Sequence, residues 1–178
     1  MNSVQQQQEE NSQQDLNGKK AIEKIQELTK QDNICFFCTH TRMGKTNGSR
    51  PMSILLTDDN GTLWFVSPVD SDKNKEIVID PEVKIYLKAS AHSDLMYLKG
   101  NAFLHLDKSK IEELWNPFLK VWFTEGKDDP RISIIKFIPE EGYYWDSKNG
   151  NFIATIKMVA GAITGTTIDD SVEGKLKL

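Results

Sequence analysis

Cysteine is scarce in this chain: two in 178 residues. That excludes a disulfide framework and makes a reducing setting, the cytoplasm, the expectation. Histidine is scarcer relative to its uses. His40, His92 and His105 are scattered without metal-ligand spacing, so surface or satisfied roles suit them best. Long apolar runs are missing too. The longest, Phe152 to Ile163, is broken by Lys157 and is too short to cross a bilayer. The opening residues, Met1-Asn2-Ser3-Val4 and then Gln5 to Gln8, have neither a basic region nor an apolar stretch, so no secretory leader is expected. Positive charge is not in excess. A net charge of -4 argues against a general nucleic-acid binder while leaving room for a local basic pocket.

What is present suits one domain with its own core, since 38% of the residues are hydrophobic and 27% charged. Residues 1–18 are rich in Gln, Asn, Glu and Ser and are expected to be a disordered tail, leaving 19–178 as the domain. Between Lys19 and Lys30, Ala21, Ile22, Ile25 and Leu28 recur at helical spacing. Ile34 to Arg42, Arg50 to Leu56 and Thr62 to Ser67 read as three antiparallel strands, with turns at Gly44–Gly48 and Asp58–Gly61. Ser71 can cap a short helix that Asp80-Pro81 ends. Val83–Ala89 and Leu95–Leu106 follow as strands, the second with Gly100 as a bulge or close approach. Ile111, Leu114 and Trp115 share a helical face, and Asn116-Pro117 restarts a helix through Phe123. Ile132–Ile138 and Gly142–Trp145 form the last strand region, interrupted at Pro139. Residues 151–165 read as a C-terminal helix with a polar tail behind it. Strands outnumber helices and short turns join them, which points to a mainly β fold, a closed or partly open barrel with peripheral helices.

The stretch from Arg50 to Lys73 carries the chemistry. Arg50 and Lys73 are fixed cations, and Ser53, Ser67 and Ser71 are hydroxyls that a hairpin and the following loop could gather around a phosphate. Ser71 at a helix start would add backbone N–H groups. A solvated edge arginine is the plain alternative. Trp64 and Phe65 alternate on their strand, so one faces the core and the other is free to line a ring site or an interface. Tyr143, Tyr144 and Trp145 form a second aromatic cluster, for which core packing is an equal reading.

Other patterns fail on geometry. Cys35 and Cys38, three apart on a strand, face opposite sides and cannot converge on one ion. Gly44-Lys45-Thr46 lacks the first glycine of a phosphate loop and lies between strands. Gly161 and Gly165 are a small-residue pair of little weight outside a membrane. No Ser/His/Asp order, paired acids or deaminase signature stands out.

Arg50-Pro51-Met52-Ser53, Leu63-Trp64-Phe65, Ser71-Asp72-Lys73-Asn74-Lys75-Glu76-Ile77 and Ile111-Glu112-Glu113-Leu114-Trp115-Asn116-Pro117 together resemble a general stress protein of the pyridoxamine 5'-phosphate oxidase-like superfamily. Trp122-Phe123, Gly126 to Pro130 and Tyr144-Trp145-Asp146 are similar as well. The resemblance runs from about Lys19 to the C-terminus. It implies a split β-barrel of antiparallel Greek-key type, and a homodimer holding FMN at the subunit interface. By position, Arg50 and Lys73 would face the FMN phosphate with Ser71 beside them. The strand from Arg50 to Leu55, with Pro51, Met52 and Ser53, would follow the ribityl chain and ring. Phe65, Val66 and Ser67 would border the site, and Trp145 would approach it from the partner. The true oxidase carries an Arg-Leu-His-Asp-Arg run after its Trp to grip pyridoxine, whereas Asp146-Ser147-Lys148-Asn149-Gly150 stands here. The expected function is therefore FMN binding with an oxidoreductase activity on an unidentified small molecule, not vitamin B6 oxidation. The alternatives are a non-catalytic flavin-binding or regulatory module, or a relative that binds deazaflavin F420 or haem.

Overall fold

The computed structural model describes residues 13–40, 48–89, 94–147 and 171–178. The chain order is β1 (Leu16–Asn17), α1 (Lys19–Gln31), β2 (Ile34–Thr39), β3 (Ser49–Ser53), β4 (Leu56–Thr57), β5 (Leu63–Pro68) and α2 (Asp72–Ile79). It continues with β6 (Glu82–Lys88), β7 (Leu95–His105), α3 (Lys108–Leu114), a 3₁₀ turn at Pro117–Val121, β8 (Ile132–Ser147) and β9 (Ser171–Lys177). The strands form one mixed sheet in the order β1-β9-β8-β7-β6-β2-β3, with the β4–β5 ribbon attached through β5 to β8. The sheet curls without closing, which makes it a split barrel.

β8 is the spine. Its Ile134–Trp145 stretch pairs with β7, while its other edge is shared: β5 takes Ile132–Phe137 and β9 takes Glu141–Ser147. Pro139 does not interrupt it. Proline cannot donate to a ladder, but here it stands opposite Gly100, where the β7 register shifts. The bulge expected at Gly100 supplies the tolerance. A Cβ on Gly100 would overlap the Ile138 carbonyl, so the absence of a side chain is what lets the two strands approach.

Three sequence expectations are corrected. Gln13–Gly18, expected to be disordered, are tied down: β1 runs parallel to β9, and Gly18 N–H bonds Lys177 O at 2.8 Å. The last residues are not a polar tail but β9, whose Val172 and Leu176 are buried. The strand expected over Arg50–Leu56 divides at Ile54-Leu55, where the chain leaves β2 and joins β5. Ile54 N–H bonds Asn33 O at 2.7 Å, and the next N–H, from Leu55, bonds Trp64 O at 2.9 Å. The corner is invisible in an alternation that continues through it. The C-terminal helix expected over 151–165 and the Gly44–Gly48 turn lie wholly or mostly outside the described residues.

The main core fills the concave side of the sheet. Phe37 and Phe65 meet edge to face at 5.2 Å between ring centroids. α1 closes one side with Ala21, Ile25 and Leu28, three of the four residues its periodicity had marked, while Ile22 is half-buried. A second cluster, Ile111, Leu114, Leu119, Phe123, Ile132 and Ile134, lies where α3 and the 3₁₀ turn cover β5 and β8. The site lies beside this second cluster.

Candidate functional site

β3 and the first turn of α2 place two cations side by side. The first turn of α2 is clamped from behind. Ser67 Oγ donates to Asn74 Oδ1 at 2.9 Å, Asn74 Nδ2 donates to Ser133 Oγ at 2.8 Å, and Ser133 Oγ donates to Ser67 O at 2.7 Å. All three side chains are buried, and each polar atom in the ring has a partner, as burial requires. Ser71 caps the helix, accepting from Asn74 N–H at 3.4 Å while sharing a 3.0 Å hydrogen bond with Ser67. Lys73 projects from this fixed turn.

Arg50 approaches from β3. Its Nη2 donates to Glu76 Oε2 at 2.8 Å, while its Nη1 is buried and has no hydrogen-bond partner among the described residues. Burial pulls the Lys73 ammonium below the usual lysine value, the Arg50 cation pulls the same way, and Glu76 opposes both. Two partly buried cations and an unsatisfied guanidinium nitrogen make a candidate anion site.

A cavity of ≈ 350 Å³ has Lys73 in its lining. Pro51, Met52, Ser53 and Val66 line one part of it, and Leu119, Trp122 and Phe123 another. Lys73 is the one charged side chain in that lining. The cavity is thus a mostly apolar slot with one positive charge in its wall.

Of the residues named from sequence, Arg50 and Lys73 come together, and Pro51, Met52, Ser53 and Val66 line the slot. Phe65 does not, because alternation turns its side chain into the main core against Phe37. Ser67 and Ser71 serve the clamp behind α2. Trp145 lies elsewhere, on the outer face of the sheet, with its ring 4.7 Å from that of Tyr143. There it lines a separate depression of ≈ 470 Å³ with Phe36, Tyr86, Leu95 and Tyr97. Sequence reading missed Leu119, Trp122 and Phe123 as lining residues, although their apolar run after Pro117 was visible. It also missed Glu76, because a carboxylate on a short charged helix looks like a solvated group.

Neither cysteine lines the slot. Cys35 faces the core, and burial pushes its thiol up to about 12; Cys38 faces the other way.

An open, mainly β sheet of this kind defines the split-barrel class of fold, and sequence comparison gives the chain its family. It belongs to the pyridoxamine 5'-phosphate oxidase like family, whose model matches residues 20–169. Protein bli-3 of Neurospora crassa is 29% identical over 137 residues, a match spanning 70% of this chain and 65% of the fungal protein. The chain thus corresponds to somewhat under two thirds of that relative. A candidate general stress protein 26 from Jannaschia sp. CCS1 superimposes with a TM-score of 0.73 at 20% identity, covering 88% of this chain and 97% of its own. The general stress FMN/FAD binding protein of Xanthomonas citri gives a TM-score of 0.60 at 19% identity, over 70% and 87% of the two chains. Both structures have the split-barrel fold. Among the described residues no helix is long and apolar enough to cross a membrane.

Proposed function

We propose that this chain is a cytoplasmic FMN-binding general stress protein that holds the flavin phosphate between Arg50 and Lys73. One observation carries the reading: Arg50 Nη1 is buried without a partner beside a second cation. A phosphomonoester would supply the missing acceptor and the charge both groups need. The remaining slot suits the rest of the coenzyme, since Met52, Val66 and Trp122 offer apolar contact to a flat ring. Bound flavin supplies hydride and single-electron chemistry. The chain's own residues bind it and exclude water from its faces.

The same proposal includes a homodimer. Phe36, Tyr86, Leu95 and Trp145 are 42–58% exposed on one sheet face, an apolar patch of the kind that soluble proteins cover with a partner. Pairing through that face would bring a partner's Trp145 toward the slot, because Phe36 pairs with Pro51, a slot residue, in the β2–β3 ladder.

Purified protein is expected to be yellow, or to take up FMN with flavin absorbance. Arg50→Ala combined with Lys73→Ala should weaken FMN at least about a hundredfold, the worth of two charge-assisted contacts. Riboflavin, which lacks the phosphate, should lose little. Undiminished FMN affinity in the double variant would sink the reading. Activity on a small electron acceptor is the favoured use of the flavin, and holding without turnover is the second. The second draws support from Asp146, which follows Trp145 and is bonded to Lys24 at 2.7 Å, in the place where the true oxidase starts its substrate-gripping run. NAD(P)H consumption with quinones or nitro compounds separates the two.

A further inference from the structure

Glu76 has no part in the reading above, yet its position is sharply defined. Its Oε2 accepts from Arg50 Nη2 at 2.8 Å and from Thr39 Oγ1 at 2.6 Å. Its side chain is 15% exposed, and that of Arg50 24%. On the same guanidinium, Nη1 is left without a partner among the described residues. The carboxylate therefore occupies one nitrogen of the fork whose other nitrogen is vacant. Lys73 lies three residues earlier on α2, near enough for both Arg50 and Glu76 to act on its charge. Among the described residues Glu76 is the carboxylate that raises the Lys73 ammonium against the effects of burial and Arg50.

Two cations crowded into a half-buried site repel each other. With no ligand bound, a carboxylate among them offsets that repulsion. Once a phosphate enters, the balance reverses. A phosphomonoester carries a charge of about −1.5 to −2 near neutral pH, and Glu76 is then a like charge beside it. The carboxylate also holds a guanidinium nitrogen that an arginine fork would otherwise give to the phosphate in two-point fashion.

Resting on the phosphate reading, we propose that Glu76 is a resident counter-ion: it holds Arg50 and Lys73 together in the ligand-free site and competes with the flavin phosphate for the guanidinium. The flavin is then bound less tightly than the two cations alone would bind it, and is kept exchangeable. The geometry isolates charge as the deciding property. A glutamine oxygen could accept from both Arg50 and Thr39, keeping the local architecture while removing the competitor.

The test is Glu76→Gln, titrated with FMN and with riboflavin by flavin fluorescence, beside Arg50→Ala. In Glu76→Gln, FMN should bind about tenfold more tightly or better and riboflavin should change by less than about twofold. The ligand-free variant should melt at a lower temperature than the parent, while the rise in melting temperature produced by saturating FMN should be larger. A folded Glu76→Gln protein that binds FMN equally or more weakly overturns the proposal and leaves the phosphate site intact. If Arg50→Ala leaves FMN affinity unchanged, the phosphate reading itself fails and the counter-ion role goes with it. Should Glu76→Gln not fold, Glu76→Ala gives the same comparison of FMN with riboflavin.

Discussion

Asp129 organises the loop beneath the slot. It is 3% exposed; Oδ1 accepts from Arg131 Nε at 2.9 Å and Oδ2 from Arg131 Nη2 at 2.6 Å. Arg131 Nη2 also reaches Trp122 O at 3.3 Å, so the pair braces a slot residue. The Arg131 guanidinium holds the Asp129 carboxyl at about 2, below the ordinary aspartate value of about 3.9. A carboxyl depressed in the fold contributes its stabilisation fully above its unfolded value and loses it as pH falls through the folded one. Thermal melting from about pH 5 to about pH 2 should therefore depend more weakly on pH in Asp129→Asn than in the parent. The variant should also melt lower at neutral pH. Arg50 and Lys73 were legible from sequence at this scale, because paired cations among hydroxyls have a chemical signature whatever the fold. Glu76 was not. Its meaning comes from a contact 26 residues back along the chain, which no local pattern encodes.

Whole elements were read best where periodicity and punctuation agreed. α1 buries the stripe expected of it, and α2 starts after Ser71 and stops before Asp80. Where one residue type sent a misleading signal, the reading failed. Pro139 looked like a break, but a bulge accommodates it; β1 is two residues long and is a strand only through β9, and the polar-looking β9 is one through its pairing with β8. The restart at Asn116-Pro117 is a 3₁₀ turn of five residues, capped by the Asn116 side chain as the sequence suggested. The bulge invites a direct test. Gly100→Ala forces a methyl against the Ile138 carbonyl, and urea unfolding should register a loss of about 2 kcal/mol or more. A neutral outcome would mean that β7 and β8 separate there without cost.

For the molecule as a whole, the mainly β split barrel was legible from strand count and turn spacing, helped by the family resemblance. The path of the sheet was not. That β8 serves three partners follows from a length the sequence divided in two. The outer aromatic face was equally hidden, because Phe36, Tyr86, Tyr97 and Tyr143 come from four strands and meet only through their register. If that row mates with a second copy, Phe36→Glu should turn a dimer into a monomer in light scattering coupled to size exclusion. It should weaken FMN as well, since the slot would lose the wall a neighbour supplies. A dimer that survives the substitution would place the interface on another face.

The divided edge of β8 has a mechanical consequence. Ile132–Phe137, gripped by β5, carries the wall behind α2, whereas Glu141–Ser147 carries β9 and through it β1. Fraying at the chain's extremities therefore loosens one half of a shared rail while the other half keeps its tension. The cleft is insulated from whatever happens at the ends.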